Sequence, residues 1–139
     1  MEMKKLIEEA KRIHAQAIEE LERGDKLNNE ILIRDAAEKA WLAAIIASDE
    51  LIVTKELPIP ETHGERYRAL RAIEAGDKGI KKLGLSDRLS AMDTHLHRQC
   101  FYKGECEANA IKEDLEKVKR YVEDIEKIVV AINGNYLGI

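Results

Sequence analysis

Apolar residues recur every three or four positions through residues 108–132, near the C-terminal end of the chain. This spacing lines the side chains up along one stripe of an α-helix, and so long a stripe requires a second long helix to pack against. Residues 3–23 and 28–55 show a similar periodicity. We therefore expect an all-α fold, an antiparallel up-and-down bundle of four to five helices. The C-terminal stripe comprises Ala108, Ile111, Leu115, Val118, Val122, Ile125, Val129 and Ile132.

Helix-capping residues indicate where the predicted helices begin and end. Thr62 and Glu65 have the spacing of a capping box, and Ser86 is a good N-cap. The length of 139 residues fits a single domain spanning residues 1–139. We predict helices at residues 3–23, 28–55, 62–76, 86–104 and 107–132, followed by a loose tail.

Composition excludes several classes of protein. Charged residues make up 36% of the chain, and no apolar run is long enough to cross a membrane. The first residues lack the apolar core of a secretory signal, so we expect a cytoplasmic protein that does not contact membranes. A net charge of −4 argues against a protein coated in nucleic acid. We find no motif for a cofactor or a metal and predict none.

The charge is unevenly distributed along the chain. Residues 58–106 carry nine positive and seven negative groups, whereas the segments on either side are acidic. Three of the four histidines, His63, His95 and His97, lie in this middle segment. A mildly basic, histidine-bearing centre is suited to a ligand that contains phosphate.

The fourth predicted helix, within SDRLSAMDTHLHRQCFYKGEC (residues 86–106), concentrates most of the chemistry. On a regular α-helix, Asp93 and His97 lie four residues apart on one flank and can pair. Another face carries two cations, a proton carrier and an aromatic ring, groups that could cleave a ribose–phosphate linkage without a metal. An ordinary solvated helix face is the alternative. The face in question is formed by Arg88, Ala91, His95, Arg98 and Tyr102.

Arg88, six intervening residues and His95, in a helical protein of this size, resemble the signature of the HEPN superfamily. The segment RDAAEKAWLAAIIASDELI (residues 34–52) looks like the second helix of archaeal HEPN-related proteins of the PaREP type. THGERYRAL (residues 62–70) and LHRQCFYKGE (residues 96–105) are also similar to that group. Leu89 departs from the pattern, because many HEPN members have a polar residue directly after the arginine.

The resemblance implies a four- or five-helix bundle, frequent homodimers and, in many members, metal-independent RNA cleavage. Arg88 would then bind the scissile phosphate, His95 would transfer the proton, and Arg98 and Tyr102 would position RNA. Other members have no activity and bind partners. We therefore expect a non-catalytic, dimeric binding module for a nucleotide, RNA or protein partner, associated with a toxin–antitoxin or nucleotidyltransferase system. A toxin-like RNA endonuclease is the alternative.

Several other interpretations compete for the same residues. Zinc would need a site of two histidines and two cysteines, including His97, Cys100 and Cys106, on a broken helix, and a Cys100–Cys106 bridge would need a similar break. The sequence does not decide whether the cysteines are bridged. We expect Trp41 to pack in the core or an interface, and we expect His63 to cap a helix or form a salt link. The heptad stripe and the alanine-rich second helix leave room for a homodimer.

Overall fold

The structure, a computed structural model, describes the backbone of residues 2–136 and the side chains of residues 6–134. Every regular element within those limits is helical, which confirms the predicted fold class. The elements are α1 (Glu2–Lys26), α2 (Glu30–Thr54), α3 (His63–Gly76), α4 (Lys78–Leu83), α5 (Leu85–Met92), a π-helix (Asp93–Tyr102) and α6 (Ala108–Tyr136).

Four long segments alternate in direction and form the bundle. Lys39 of α2 pairs with Glu20 near the end of α1, so these two helices are antiparallel neighbours. Lys11 pairs with Glu126, while the ring of His14 contacts the Leu115 carbonyl, so α1 and α6 are also antiparallel. The continuous rod of α5 and the π-helix packs against α2 and α6. Among the described residues, no helix is long and apolar enough to span a bilayer.

Helix α2 lies at the centre of the bundle and is surrounded by α1, α3, the π-helix and α6. Alanines on several sides of it are completely buried, because a helix with small side chains lets its neighbours approach closely. Trp41 is 2% exposed and belongs to this core, as the sequence predicted. The buried alanines are Ala36, Ala37, Ala40, Ala43, Ala44 and Ala47.

The heptad stripe of α6 is buried within the same chain. Its apolar side chains from Ile111 to Val129 belong to the core. Both sequence features that suggested room for a homodimer are therefore occupied by intramolecular packing, and the dimer remains a prediction. Helix α6 also continues to Tyr136, so the expected loose tail is wrong for residues 133–136, and residues 137–139 lie outside the described part.

Two buried polar groups in α2 differ in how they are satisfied. The Ser48 hydroxyl donates to the Ala44 carbonyl at 2.8 Å and lies 2.6 Å from the Tyr121 hydroxyl. Burial raises the pKa of Tyr121, so its phenol stays protonated. Glu50 is fully buried, and neither of its carboxylate oxygens has a hydrogen-bond partner. Desolvation raises the pKa of Glu50 to about 7.

Candidate functional site

The rod of α5 and the π-helix carries all the candidate residues, and its geometry differs from the prediction. Gly84, with φ 63°, ends α4 in the left-handed region and begins α5, so Ser86 is not the cap. The Ser86 hydroxyl instead donates to Glu74 Oε1 at 2.7 Å. This bond fixes the start of α5 against α3.

The change from α-helix to π-helix at Asp93 alters which side chains share a face. A π-helix bonds i to i+5, and such helices are uncommon and frequently occur at functional sites. At its end, the Lys103 amide donates to the Arg98 carbonyl at 3.1 Å, five residues back. Because the turn is wider, the single polar stripe predicted for a regular α-helix is divided. Arg88 and His95 face α6, whereas Arg98 and Tyr102 lie on another side with His97.

A groove of about 790 Å³ separates the rod from α6, and we call it the α5–α6 groove. Arg88 Nη1 donates to Asp124 Oδ2 at 2.9 Å, and the guanidinium carbon lies 5.3 Å from the centre of the Tyr121 ring. The cation therefore covers a buried aromatic ring while a carboxylate balances its charge. Arg88 has a structural role in these contacts.

His95 lines the same groove and is more loosely held. Its Nδ1 lies 3.6 Å from Asp114 Oδ1, too long for a good hydrogen bond, and its side chain is 47% exposed. The remaining groove charges balance, with four carboxylates facing four cations. These are Asp87, Asp114, Glu123 and Asp124 on the one hand, and Arg88, Lys117, Arg120 and Lys127 on the other.

A second concave region, of about 650 Å³, lies where the π-helix meets the start of α3. We call it the imidazole–aromatic surface. It brings together two imidazoles, two phenols and two cations with a single carboxylate. Its side chains are His63, Tyr67, Asp93, His97, Arg98, Tyr102 and Lys103.

His97 is at the centre of this surface. Its Nδ1 lies 2.7 Å from Glu38 Oε1, so an Nδ1–H donates to that carboxylate. The imidazole stacks with Trp41, at 5.9 Å between ring centres, and with Phe101, at 6.1 Å. Helix α2 thus supplies both the charge partner and one stacking partner that hold the ring in place.

The predicted pair between Asp93 and His97 does not form. Asp93 Oδ2 instead lies 3.5 Å from Arg98 Nε, because the wide turn brings residues five apart together. Arg98 is 68% exposed, and this single long contact leaves most of its guanidinium accessible to solvent. Both residues nevertheless line the same surface.

The start of α3 forms the opposite wall. Thr62 Oγ1 accepts from the Glu65 amide at 3.1 Å, as the capping box predicted. His63 is not the cap; it is the first residue of the helix, and its Nδ1 accepts from Arg66 Nη1 at 2.9 Å. Arg66 is itself held by both carboxylate oxygens of Asp49, at 2.7 and 3.0 Å. The imidazole of His63 is therefore oriented by a fixed cation.

Tyr67 contributes a neutral phenol to the surface. Burial, followed by the negative charge of Asp93, raises the pKa of Tyr67, while a weak contact with Ser90 opposes the rise. Its Oη atom is buried without a hydrogen bond of good geometry. The hydroxyl thus keeps hydrogen-bonding capacity at one edge of the concave region.

The end of the π-helix is fixed by Arg34. Its Nε donates to the Phe101 carbonyl at 2.9 Å and its Nη2 to the Tyr102 carbonyl at 3.0 Å. These bonds satisfy carbonyls that a helix end leaves open. Gly104, with φ 71°, then turns the chain, and a Cβ there would lie 2.9 Å from Glu30 Oε1.

The turn at Gly104 allows a disulfide between Cys100 and Cys106. The sequence left this bridge undecided, because it needs a break in the helix and a cytoplasmic setting disfavours it. The helix in fact ends at Tyr102, and the chain returns to cover Cys100. Since the two sulfurs are bonded to each other, neither is a zinc ligand in this state. No metal-binding cluster of His, Cys, Asp or Glu occurs among the described residues.

Comparison with known proteins gives one family. The model of the archaeal PaREP1/PaREP8 family matches residues 5–122, most of the chain. The chain belongs to the archaeal PaREP1/PaREP8 family. This bears out the PaREP part of the resemblance noted in the sequence. No curated protein and no solved structure matches the chain. The matched region of this PaREP1/PaREP8 chain contains the imidazole–aromatic surface and most of the α5–α6 groove, although Glu123, Asp124 and Lys127 of the groove lie beyond it.

Sequence analysis missed the part that α2 has in the surface of this PaREP1/PaREP8 protein. Arg34, Glu38 and Trp41 lie at positions i, i+4 and i+7, so they share one face of α2. All three contact the π-helix segment. The sequence feature that could have indicated this contact is the row of two charged residues and one aromatic residue on a helix that is otherwise rich in alanine. On a helix inside the bundle, such large polar side chains need partners on a neighbouring helix.

Proposed function

We propose that this PaREP1/PaREP8 protein is a non-catalytic binding module whose ligand is a nucleotide or RNA and whose binding site is the imidazole–aromatic surface. The proposal rests mainly on one observation. On that surface, cations and aromatic rings are exposed side by side, while the cations of the α5–α6 groove face an equal number of carboxylates.

The charge of the imidazole–aromatic surface suits a phosphate. Arg98 and Lys103 are exposed cations, and Asp93 is the single carboxylate that lines the region with them. Arginine binds phosphate through two parallel donors, and lysine binds it as a point charge. His63 and His97 add ring nitrogens that can donate to phosphate oxygens when they carry a proton.

The aromatic content of the same surface suits a base. Tyr102 is 71% exposed although it is a large aromatic residue. Bases of single-stranded RNA commonly stack on such rings, and the stacking is tolerant of sequence. A surface that has both hydrogen-bond donors for phosphate and an exposed aromatic ring matches the phosphate and the base of a nucleotide.

An HEPN-like relationship and a homodimer are part of this proposal. The alternating helical bundle and the Arg88-x6-His95 spacing support the relationship, which goes beyond the family match. The resemblance to a frequently dimeric superfamily supports the dimer. Sedimentation equilibrium of the purified protein tests it, with twice the chain mass of 15.8 kDa as the expected result. A monomer at binding-assay concentrations would remove the dimer from the proposal.

RNA cleavage is the second candidate function. It is favoured by one specific observation, that Arg88 and His95 line the same groove despite the change of helix type. Against it, Arg88 already donates to Asp124 and covers Tyr121. Cleavage would require the guanidinium to leave both partners or a second subunit to supply another.

One experiment separates the two functions. Fluorescence anisotropy of a 5′-labelled ten-residue oligouridylate is measured with EDTA present, and the same samples are run on a denaturing gel. The binding module predicts a saturable rise in anisotropy with intact RNA, weakened about tenfold by Arg98→Ala and unchanged by the matched exposed variant Arg71→Ala. Cleavage that His95→Ala abolishes would establish the nuclease instead. Absence of binding by folded wild-type protein would refute the binding proposal.

A further inference from the structure

Tyr102 lies between two hollows in the surface of the protein. One hollow is the imidazole–aromatic surface, and the other, of about 350 Å³, lies between the start of α2 and the end of the π-helix. The ring of Tyr102 lines both. The second hollow, which we call the α2 hollow, is completed by Ile31, Arg34, Asp35 and Phe101.

The ring of Tyr102 is held at its base and free over most of its area. It meets the His97 ring at 82° and the Phe101 ring at 90°, with centres 5.6 and 6.1 Å away. Arg34 fixes its backbone carbonyl, and the Cys100–Cys106 bridge closes the turn that follows. A ring that is 71% exposed on so constrained a backbone is a ready platform for stacking.

The two hollows are each large enough for one ligand unit but differ in chemistry. Small-molecule sites commonly measure about 300–1,000 Å³, and both hollows fall within this range. The α2 hollow has an apolar wall from Ile31, which is 71% exposed, and the charges of Arg34 and Asp35 oppose each other there. On the other side of Tyr102, the two cations Arg98 and Lys103 outnumber the single carboxylate, Asp93.

We propose that the ligand is a single-stranded polynucleotide of at least two residues, whose neighbouring bases lie on either side of Tyr102. One base occupies the α2 hollow against Ile31 and Phe101. The next occupies the imidazole–aromatic surface, and Arg98 and Lys103 hold the phosphate that links the two. This inference rests on the proposed function and adds to it the minimum length of the ligand and the residue that divides its two subsites.

The test is a length series on the full-length wild-type protein. Isothermal titration calorimetry is carried out with uridine 5′-monophosphate, the dinucleotide pUpU and the tetranucleotide pUpUpUpU. One stacked base contributes about 1–3 kcal/mol, or about 5- to 160-fold in affinity, so the dinucleotide should bind on the order of tenfold more tightly than the mononucleotide. The further gain from dinucleotide to tetranucleotide should be smaller. Equal affinities for mononucleotide and dinucleotide would overturn the inference.

Variants locate the gain at Tyr102. Tyr102→Ala should abolish the tenfold step between mononucleotide and dinucleotide, and Tyr102→Phe should keep it because stacking needs the ring rather than the hydroxyl. Ile31→Ala should weaken the dinucleotide several-fold and leave the mononucleotide unchanged. The matched control is Ile59→Ala, which truncates another exposed apolar side chain, 68% accessible, away from both hollows. A step that persists in Tyr102→Ala would overturn the inference.

Failure of the inference and failure of the proposed function give different results. Uridylates that bind without a dependence on length would refute the two-subsite arrangement and leave a nucleotide-binding module. If none of the uridylates binds to folded wild-type protein, both are refuted. Circular dichroism melts of each variant, compared with the wild type, identify any loss of binding that comes from unfolding.

Discussion

Arg88 and Arg98 lie on the same continuous rod, yet their surroundings are opposite. Arg88, on the α-helical half, is 28% exposed, donates to Asp124 and covers the ring of Tyr121. Arg98, on the π-helical half, is 68% exposed and has one long contact with Asp93. Two arginines that look equivalent in the sequence therefore do different work: the first stabilises the bundle, and the second is available to a ligand.

The difference between the two regions comes from what faces them. Helix α6 presents Asp124 to the α5 half, where this carboxylate pairs with Arg88. Helix α2 presents Glu38 and Trp41 to the π-helical half, where they orient His97, while Arg98 and Lys103 remain exposed. A count of positive residues on the rod would not distinguish Arg88 from Arg98, because the helix that faces each arginine decides whether its charge is paired or exposed.

The largest predicted effect on the free energy of unfolding comes from Glu50, which lies outside both regions. It must be known before the stabilities of variants in the two regions are compared at different pH. Between pH 4.5, its ordinary pKa, and about 7, the folded state holds the proton that the unfolded chain has released. The free energy of unfolding should therefore fall as pH rises through this window, by about 3 kcal/mol at most. Urea denaturation of wild type and Glu50→Gln at pH 4 and pH 8 measures it.

Glu50→Gln should be the more stable protein at pH 8 and nearly equal to wild type at pH 4. The matched variant Glu113→Gln, which changes an exposed carboxylate on α6, should alter stability little at either pH. RNA binding at pH 8 should be the same for wild type and Glu50→Gln, because the residue contributes to neither region. A wild type whose stability is flat from pH 4.5 to 7 would contradict the elevated pKa.

A smaller effect is expected from the Cys100–Cys106 disulfide, which belongs to the π-helical half alone. Closing so short a loop stabilises a protein by about 2 kcal/mol in the chain-entropy estimate. Dithiothreitol should lower the free energy of unfolding by about that amount. It should also weaken RNA binding, because the bridge holds the turn that carries Tyr102 and Lys103.

The double variant Cys100→Ser/Cys106→Ser is the control for the reductant. It should resemble reduced wild type and should not respond to dithiothreitol. If reduction lowers stability without changing affinity, the bridge supports the bundle rather than the imidazole–aromatic surface. That result would weaken the contrast between the two halves of the rod.

The smallest stability effects come from the two arginines, and they test the comparison most directly. Arg88→Ala should cost about 1–2 kcal/mol of stability, since it removes a partly buried ion pair and a cation over an aromatic ring. It should leave RNA affinity unchanged. Arg98→Ala should cost less than about 0.5 kcal/mol and weaken RNA binding. Thermal melts and anisotropy titrations of both variants give the four values.

The opposite pattern would reverse the assignment of the two regions. If Arg88→Ala abolishes RNA binding or cleavage while its melting curve stays close to wild type, the α5–α6 groove is the functional site. Asp124→Asn provides a check, because it should reproduce part of the stability loss of Arg88→Ala without removing the cation.

Much of the fold could be predicted from local sequence. The stripe from Ala108 to Val129 and the cap at Thr62 depend on residues within a few turns of each other, and both occur in the structure. The second half of the predicted capping box is wrong, since Glu65 Oε1 accepts from the Glu61 amide and not from that of Thr62. Ser86 was misread as a cap because the tertiary partner Glu74 takes its hydroxyl. The predicted site residues all lie on the rod of α5 and the π-helix. Their predicted arrangement on one shared face is wrong, because it assumed a regular α-helix.

By itself, the sequence determined that this chain is a helical bundle, that α2 can be approached closely, and that residues 86–106 carry most of the reactive side chains. Periodicity and capping are properties of neighbouring residues, so they can be read from one chain. Only the tertiary structure decided that the helix widens at Asp93, that Arg34 ends it at Tyr102, and that the cysteines meet. The end of the rod is held by residues of α2 that lie about sixty positions away in the chain, and the residues around Asp93 do not indicate which distant side chains they will contact.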